Sequence, residues 1–199
     1  MTQHGRFTLS APAQLAQEIR KSRFLANAAP VETEPAAMEF LARVADRAAT
    51  HNCWAWRIGT RYRFSDDGEP GGTAGRPILQ VIDAQNLDQV MVVVTRWFGG
   101  IKLGTGGLVR AYGGCAAECL RMAGKTELID HARVLCTVEF AVLARLRPRL
   151  HDLAATVQSE SFDARGAAVT IRLPRARLAD LRVLIADLTR GRTDLQPLD

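Results

Sequence analysis

A glycine-rich stretch flanked by basic residues is the part of this sequence whose residue types and spacing are best suited to binding chemistry. Glycine stands at positions 99, 100, 104, 106 and 107, with Arg96 before this run, Lys102 within it and Arg110 after it. The apolar run Met91–Thr95 precedes the glycines and predicts a strand that is buried on both faces. An amphipathic helix follows, and Thr105 is its predicted N-cap.

A strand, a glycine loop and a helix in this order place backbone N–H groups and the positive end of a helix dipole at the loop. The arrangement predicts a site for an anion or for a phosphodiester backbone. Its candidate residues are Arg96, Lys102, Arg110, Gly99, Gly100 and Gly104. Packing is the alternative, because glycines also allow tight turns and a close approach of the helix to the sheet. Gly113 and Gly114 favour packing, since each costs the helix about 1 kcal/mol relative to alanine.

Two common nucleotide-binding motifs are absent from this stretch. The phosphate loop of nucleotide hydrolases needs Gly, four residues, Gly, Lys and then Ser or Thr. Gly99 and Gly104 have that spacing, but Thr105 stands where the lysine is required. The dinucleotide pattern fails as well, because Gly104-Thr105-Gly106 is followed by Gly107-Leu108-Val109.

The stretch from Ser65 to Gly75, SDDGEPGGTAG, is the second candidate for chemistry. Its clustered carboxylates suit a hard cation such as magnesium, or acid–base catalysis. The candidate residues of this alternative acidic site are His51, Asp66, Asp67 and Glu69. The EF-hand spacing is absent, however, and no Ser/His/Asp or HExxH set is complete. The other interpretation is an exposed loop rich in turn formers, followed by a helix over Arg76–Asp83 that Thr73 caps.

The cysteines predict buried thiols rather than a metal site. Two of them lie on the apolar face of the predicted helix, which consists of Leu108, Tyr112, Cys115 and Cys119. Cys53 and Cys136 also have apolar neighbours. A zinc site made from His51 and three cysteines has the wrong spacing for the common ribbons and fingers. We therefore expect reduced thiols, no metal and no cofactor.

The composition predicts a globular, cytoplasmic protein with an acidic partner. At 199 residues and 47% hydrophobic content, the chain is long enough for one large domain or two small ones. The net charge of +5 favours a partner such as nucleic acid, although no long basic run is present. No signal peptide is recognisable and no apolar run approaches 18 residues, so we expect no membrane span.

The hydrophobic pattern predicts an α+β protein with a domain boundary between Gly124 and Arg133. Before the boundary, we expect a strand over Ser22–Asn27 with Lys21 and Arg23 on one face, a helix from Thr33 or Glu34, and a hairpin of His51–Ile58 with Tyr62–Phe64. After it, the predicted elements are a strand over Val134–Phe140, a helix over Leu143–Ala155, a hairpin of Ser159–Asp163 with Ala167–Leu173, and a helix from Pro174 to Gly191. The order βαββα indicates a small ferredoxin-like domain that a short last strand closes.

Several long motifs of the chain resemble the IMPACT/YigZ family. They are His51-Asn52-Cys53, SDDGEPGGTAGRPIL over Ser65–Leu79, and TRWFGGIKLGTGGLVRAY over Thr95–Tyr112. Lys21-Ser22-Arg23-Phe24 matches the pattern that opens the conserved domain of that family. The chain departs from it at positions 54 and 56, where tryptophan replaces the tyrosine that is common in relatives.

The resemblance implies two domains and a role in translation. Residues 1–130 would have a ribosomal-protein-S5 domain 2-like fold, similar to the ribosome-reaching domain of elongation factor G. Residues 131–199 would form a ferredoxin-like domain that resembles the last domain of the same factor. The resemblance thus implies a cytoplasmic protein that binds RNA or the ribosome and modulates translation. The alternative is a small hydrolase or transferase that uses the Ser65–Glu69 loop.

Eukaryotic members of the family regulate translation by competing for an activator of an initiation-factor kinase. They do so with help from an extra N-terminal domain that has no counterpart in this sequence, so we do not carry that activity over. The sequence predicts no particular protein partner and no oligomeric state.

Overall fold

The computed structural model describes residues 6–198. The chain divides into two compact units between Leu128 and Ile129, which we call the first unit and the second unit. Among the residues described, no helix is both long enough and apolar enough to cross a membrane.

The first unit is a five-stranded antiparallel sheet with helices on both faces. Its strands are β1 (Arg6–Leu9), β2 (Ala13–Ile19), β3 (Ser22–Pro30), β4 (His51–Ile58), β5 (Arg61–Ser65), β6 (Val90–Trp97) and β7 (Lys125–Leu128). Its helices are α1 (Glu34–Val44), α2 (Gly75–Ala84) and α3 (Thr105–Met122). The main sheet has the order β2-β3-β6-β4-β5, while β1 and β7 form a separate pair.

The central strand β6 is buried on both faces, as its β-branched run predicts. Val92 and Val94 point into a core that they share with α2 and α3. Met91 and Val93 point to the opposite face, into the smaller core beneath α1. Because side chains alternate along a strand, a strand between two helical layers must be apolar at every position.

Most of the predicted elements of the first unit are confirmed. The N-cap of α1 is Thr33, whose Oγ1 accepts a hydrogen bond from the Ala36 N–H at 3.3 Å. Strands β4 and β5 form the predicted hairpin. The expectation that Lys21 shares a strand face with Arg23 is wrong, because Lys21 has a φ of +66° and lies in the turn before β3.

Two predicted helix caps are also wrong. Thr73 does not cap α2, since its hydroxyl donates to the Pro70 carbonyl at 2.6 Å. The carboxylate of Asp66, nine residues before the helix, accepts the first N–H groups instead. Thr105 is the first residue of α3 rather than its cap, and the cap is Gly104 with a φ of +70°. A left-handed backbone at that position favours glycine over threonine.

The second unit is a four-stranded antiparallel sheet with two helices. Its elements are β8 (His131–Glu139), α4 (Phe140–Leu150), β9 (Thr156–Phe162), β10 (Gly166–Pro174), α5 (Leu178–Thr189) and β11 (Gln196–Pro197). The strand order is β11-β8-β10-β9, so the predicted short last strand is present and pairs with β8. Leu146 of α4 and Leu181 and Ile185 of α5 bury their side chains against the sheet.

Both helices of the second unit begin at residues other than those predicted. Helix α4 starts at Phe140 rather than at Leu143, and Pro148 lies in its last turn. A proline near the end of a helix breaks only the last backbone hydrogen bonds, which limits its cost. A short 3₁₀ turn over Arg175–Arg177 precedes α5, so that helix begins at Leu178 rather than Pro174.

The separate cores predict that the first unit folds without the second. The two hydrophobic clusters of the first unit contain only residues before Leu128. We expect residues 1–128, expressed as a fragment, to unfold in a single cooperative urea transition. The full-length chain is the control. A fragment that aggregates, or that unfolds without a sigmoidal transition, would contradict this division of the core.

Candidate functional site

A buried ion pair joins the central strand β6 to a loop at one end of the main sheet. Arg96, near the end of β6, donates from Nη1 to Oε1 of Glu69 at 2.6 Å. Glu69 belongs to the loop of residues 65–74, which we call the acidic loop. The residues are only 5% and 8% exposed, respectively. The same Glu69 oxygen accepts a hydrogen bond from the Tyr112 hydroxyl at 2.7 Å, so the ion pair also reaches α3.

The guanidinium of Arg96 is enclosed by aromatic rings as well as by Glu69. It lies 5.5 Å from the ring centroid of Phe24 and 5.4 Å from that of Phe98, within the range of cation–π attraction. Its Nη2 lies 3.4 Å from Ser22 Oγ. Its Nε is buried without a hydrogen-bond partner among the residues described. In this structure the Arg96 side chain therefore contacts internal partners, whereas the sequence pattern predicts it at an anion-binding surface.

His51 and Asp67 fix the acidic loop to the start of β4. His51 Nδ1 lies 2.7 Å from the Asp67 carbonyl oxygen, and because a carbonyl only accepts, Nδ1 carries a proton. Nε2 of the same ring lies 3.9 Å from Glu69 Oε2. The Asp67 carboxylate accepts the Asn52 N–H at 2.5 Å. The predicted acidic residues thus surround the ion pair and shape the loop.

Asp66 acts as the structural anchor of the acidic loop. Its carboxylate accepts N–H groups of Gly72, Ala74 and Gly75 at 2.8 to 2.9 Å. Charge-assisted hydrogen bonds of this kind are among the stronger ones in proteins. Over residues 6–198, no group of three or more histidine, cysteine or acidic side chains is placed to hold a metal ion.

The loop over Phe98–Gly104, which we call the glycine loop, packs directly on the turn that joins β2 and β3. A Cβ added to Gly99 would lie 1.8 Å from the Lys21 carbonyl oxygen, so any other residue would displace the backbone. The Gly99 N–H also bonds Ser22 Oγ at 3.3 Å. The close approach of the glycine loop to the Lys21 backbone therefore explains why position 99 requires glycine. It does not explain Gly114, where an added Cβ meets open space.

Four exposed basic side chains surround this junction, and we call them the basic cluster: Arg20, Lys21, Lys102 and Arg110. None of them forms an ion pair with another residue of the described chain. Several other arginines of the first unit do pair with carboxylates, as in Arg57–Asp83 and Arg6–Asp88. Phe98 of the glycine loop is 46% exposed beside the cluster.

The sequence pattern predicts Lys102 and Arg110 at this surface but does not reveal the internal partners of Arg96. The helical pattern predicts Tyr112 on the apolar face of its helix, where it does lie. A buried phenol needs a hydrogen-bond partner, and that need is the one sequence signal for a polar group beneath α3. The sequence does not predict Arg20 at this surface, because nothing in its local pattern places it beside a loop about 80 residues further along the chain.

Comparison with known proteins shows that these residues lie within a known family domain. The family model of the Impact N-terminal domain matches residues 20–120, which include the acidic loop, the glycine loop and the basic cluster. The chain belongs to the IMPACT family. A domain of unknown function (DUF1949) matches residues 136–192 of the second unit.

Two bacterial relatives and one crystal structure extend over nearly the whole chain. The Thermus thermophilus "IMPACT family member in pol 5′region" is 49% identical over 176 residues, which cover 87% of this chain and 97% of that protein. YigZ of Escherichia coli (strain K12) is 32% identical over 197 residues, or 96% of each chain. A crystal structure of a protein described as hypothetical superposes with a TM-score of 0.70, at 32% identity and 98% coverage of both chains.

Breaking the buried ion pair should destabilise the first unit strongly. We expect Arg96→Met or Glu69→Gln each to lower the free energy of unfolding by about 3–5 kcal/mol, since one charge then remains buried without its partner. The double variant should lose less than the sum of the two. Arg61→Met is the control, because it breaks an exposed ion pair with Glu34, and solvent screens such pairs so that their loss has little effect on stability. Urea denaturation measures all four, and additive losses would contradict a direct Arg96–Glu69 interaction.

The buried thiols predict a loss of stability at high pH. Burial raises the pKa of Cys115 to about 12 and that of Cys119 to about 11, from an ordinary value of 9.0. Above about pH 9 these thiols ionise in the unfolded chain first, so each lowers the unfolding free energy by up to about 1.4 kcal/mol per pH unit. We expect Cys115→Ala to show a shallower decline between about pH 9 and about pH 10.5. Parallel curves for the variant and the unmodified chain would contradict the raised pKa.

Proposed function

We propose that this IMPACT family member binds RNA, free or on the ribosome, through the basic cluster and thereby modulates translation. One observation carries the proposal: the four basic side chains around the glycine loop have no acidic partner within the described chain. Unpaired surface charges of one sign attract a polyanion, and phosphate contacts supply most of the affinity of such binding. The family resemblance implies a role in translation, and RNA or the ribosome is a partner of that kind.

The positions of the cluster residues suit a phosphate backbone. Lys102 extends from the glycine loop, and Arg110 extends from the second turn of α3. No side chain of residues 6–198 caps the start of that helix, so its first N–H groups add a partial positive charge nearby. Lysine and arginine provide up to three and five N–H donors, which allow several phosphate oxygens to be bound at once.

Phe98 gives this surface a means of contacting bases. Its ring is 46% exposed on one side and lies against the guanidinium of Arg96 on the other. Stacking of a base on an aromatic side chain contributes about 1–3 kcal/mol and tolerates any sequence. We therefore propose that the protein binds single-stranded segments with little sequence preference.

We infer the folds of the two units from their strand topology and from the family resemblance of the sequence. The second unit has the order βαββαβ, with strand β10 between β8 and β9 and all pairs antiparallel, which supports a ferredoxin-like fold. We assign the first unit to the ribosomal-protein-S5 domain 2-like fold on the resemblance of its motifs. Both units are analogous in fold to domains of elongation factor G. This analogy suggests the ribosome as a partner, but likeness of fold does not by itself establish function.

The cytoplasm is the compartment that we propose for this activity. All four cysteines are free thiols. Reduced cysteines are the rule in that compartment, where disulfides are rare.

A small hydrolase or transferase built on the acidic loop has one observation in its favour. His51 Nε2 lies 3.9 Å from Glu69 and its side chain is 20% exposed. Glu69, however, already binds Arg96 and Tyr112, and three backbone N–H groups occupy Asp66. Carboxylates with structural partners are poorly placed for proton transfer, and we therefore propose binding rather than catalysis.

Removing charge from the two lysines should weaken RNA binding without affecting the fold. We expect Lys21→Gln with Lys102→Gln to reduce the slope of log affinity against log salt by about 0.7 for each phosphate that the variant no longer binds. The unfolding free energy should stay within about 0.5 kcal/mol, because both side chains are exposed. Lys125→Gln is the matched control, since that lysine is exposed and bonds Gln85.

Salt-dependent fluorescence anisotropy with a labelled single-stranded RNA measures these slopes. Identical slopes for the double variant and the Lys125→Gln control would contradict the proposal. Absence of any binding to RNA by the folded protein at low salt would contradict it as well.

A further inference from the structure

We propose that a cavity between Arg20 and Arg110 binds a terminal phosphate group, such as the phosphorylated end of an RNA strand. The proposal rests on the proposed function and names the chemical group that one part of the basic cluster recognises. A phosphate at a chain end carries an additional negative charge that a phosphate within the chain lacks, and the cavity matches that charge.

The cavity lies between the end of β2 and the first turns of α3. It has a volume of about 260 Å³. Its lining residues are Ile19, Arg20, Leu103, Gly107, Arg110 and Ala111. This volume is below the range of roughly 300–1,000 Å³ typical of drug-sized ligands, so it suits a phosphate with an attached sugar.

The hydrophobic core of the first unit forms part of the cavity wall. Ala111 belongs to that core, while Ile19 and Leu103 pack against it. Apolar side chains form no hydrogen bonds with a ligand, so a bound anion would depend on the two arginines.

The charge in the cavity fits a phosphomonoester. Two arginines, Arg20 and Arg110, line it, and no acidic residue is among its lining residues in the described chain. A phosphomonoester carries about −1.5 to −2 charges at pH 7, whereas a phosphodiester carries one. Arginine binds phosphate oxygens in a planar, two-pronged geometry, and two arginines on opposite elements are able to hold one phosphate between them.

The backbone at Arg20 supports a specific role for this side chain. Arg20 and Lys21 have φ angles of +47° and +66°, the left-handed region at both central residues of the β2–β3 turn. Such turns favour Asn-Gly, because in the left-handed region the Cβ atom of most residues lies too close to the following carbonyl oxygen. The close contact of Gly99 with the Lys21 carbonyl holds this turn against the glycine loop. The turn therefore holds Arg20 at the rim of the cavity at a cost in backbone energy.

The test compares one short single-stranded RNA with a 5′-phosphate, with a 3′-phosphate and with hydroxyls at both ends. Binding to the full-length protein is measured by fluorescence anisotropy at fixed salt. We expect one phosphorylated form to bind about tenfold or more tightly than the hydroxyl form, as charged hydrogen bonds to the extra group allow. The preference should decline below about pH 6, where the monoester gains a proton.

Because both arginines belong to the basic cluster, Arg20→Gln or Arg110→Gln should weaken binding of all three RNAs. The phosphorylated form should lose more affinity than the hydroxyl form, so that the preference disappears. Arg121→Gln is the control on the same helix, because Arg121 is exposed and pairs with Glu118. Adenosine 5′-monophosphate and adenosine 3′-monophosphate serve as competitors. Displacement of the phosphorylated RNA by either would support the cavity, and would show that a free nucleotide is an alternative source of the same group.

The failure of this inference is distinguishable from that of the proposed function. Equal affinity for all three RNAs, together with a salt slope that depends on Lys102, would overturn the terminal-phosphate cavity but retain RNA binding. A preference that persists in both glutamine variants would also overturn it. Absence of binding to every RNA by the folded protein would contradict both proposals.

Discussion

The buried ion pair between Arg96 and Glu69 is the interaction on which the rest of the candidate site depends. It joins the end of the central strand β6 to the acidic loop, and through Tyr112 it joins both to helix α3. Burying two charges is costly, and the pair is compensated by the hydroxyl groups and aromatic rings around it. The geometry of the surface above therefore follows from a polar network beneath it. The glycine loop begins two residues after Arg96 and is held in place by the same network.

In this arrangement, different residues stabilise the fold and attract a partner, although they are neighbours in the sequence. Arginine and lysine near a glycine loop suggest a single anion site, yet Arg96 faces inward and Lys102 faces outward. Residues that face inward determine stability, whereas residues of the basic cluster determine what the surface attracts. The acidic loop shows the same separation, because its carboxylates accept internal N–H groups and hydroxyls. Motifs shared with the IMPACT family thus include structural residues as well as residues available to a partner.

The positions of the strands and the burial of their side chains can be predicted from the sequence, whereas the polar contacts between distant residues cannot. The β-branched run of β6 predicts a doubly buried strand, and Thr33 marks the start of α1 correctly. The burial of Arg96 depends on Glu69, which lies 27 residues away in a loop without periodicity. The cap of α2 comes from Asp66 rather than Thr73 for a similar reason. Local patterns report the neighbours of a residue along the chain, whereas these contacts form between distant segments.

Hydrogen exchange of the full-length protein with and without a single-stranded RNA tests most directly whether this junction is the binding surface. Mass spectrometry of proteolytic peptides locates the amides that bound RNA protects from exchange. The account predicts protection in peptides that cover residues 19–24 and 98–111, with the acidic loop already slow to exchange in the free protein. Protection confined to the second unit, with unchanged exchange at the glycine loop, would contradict it.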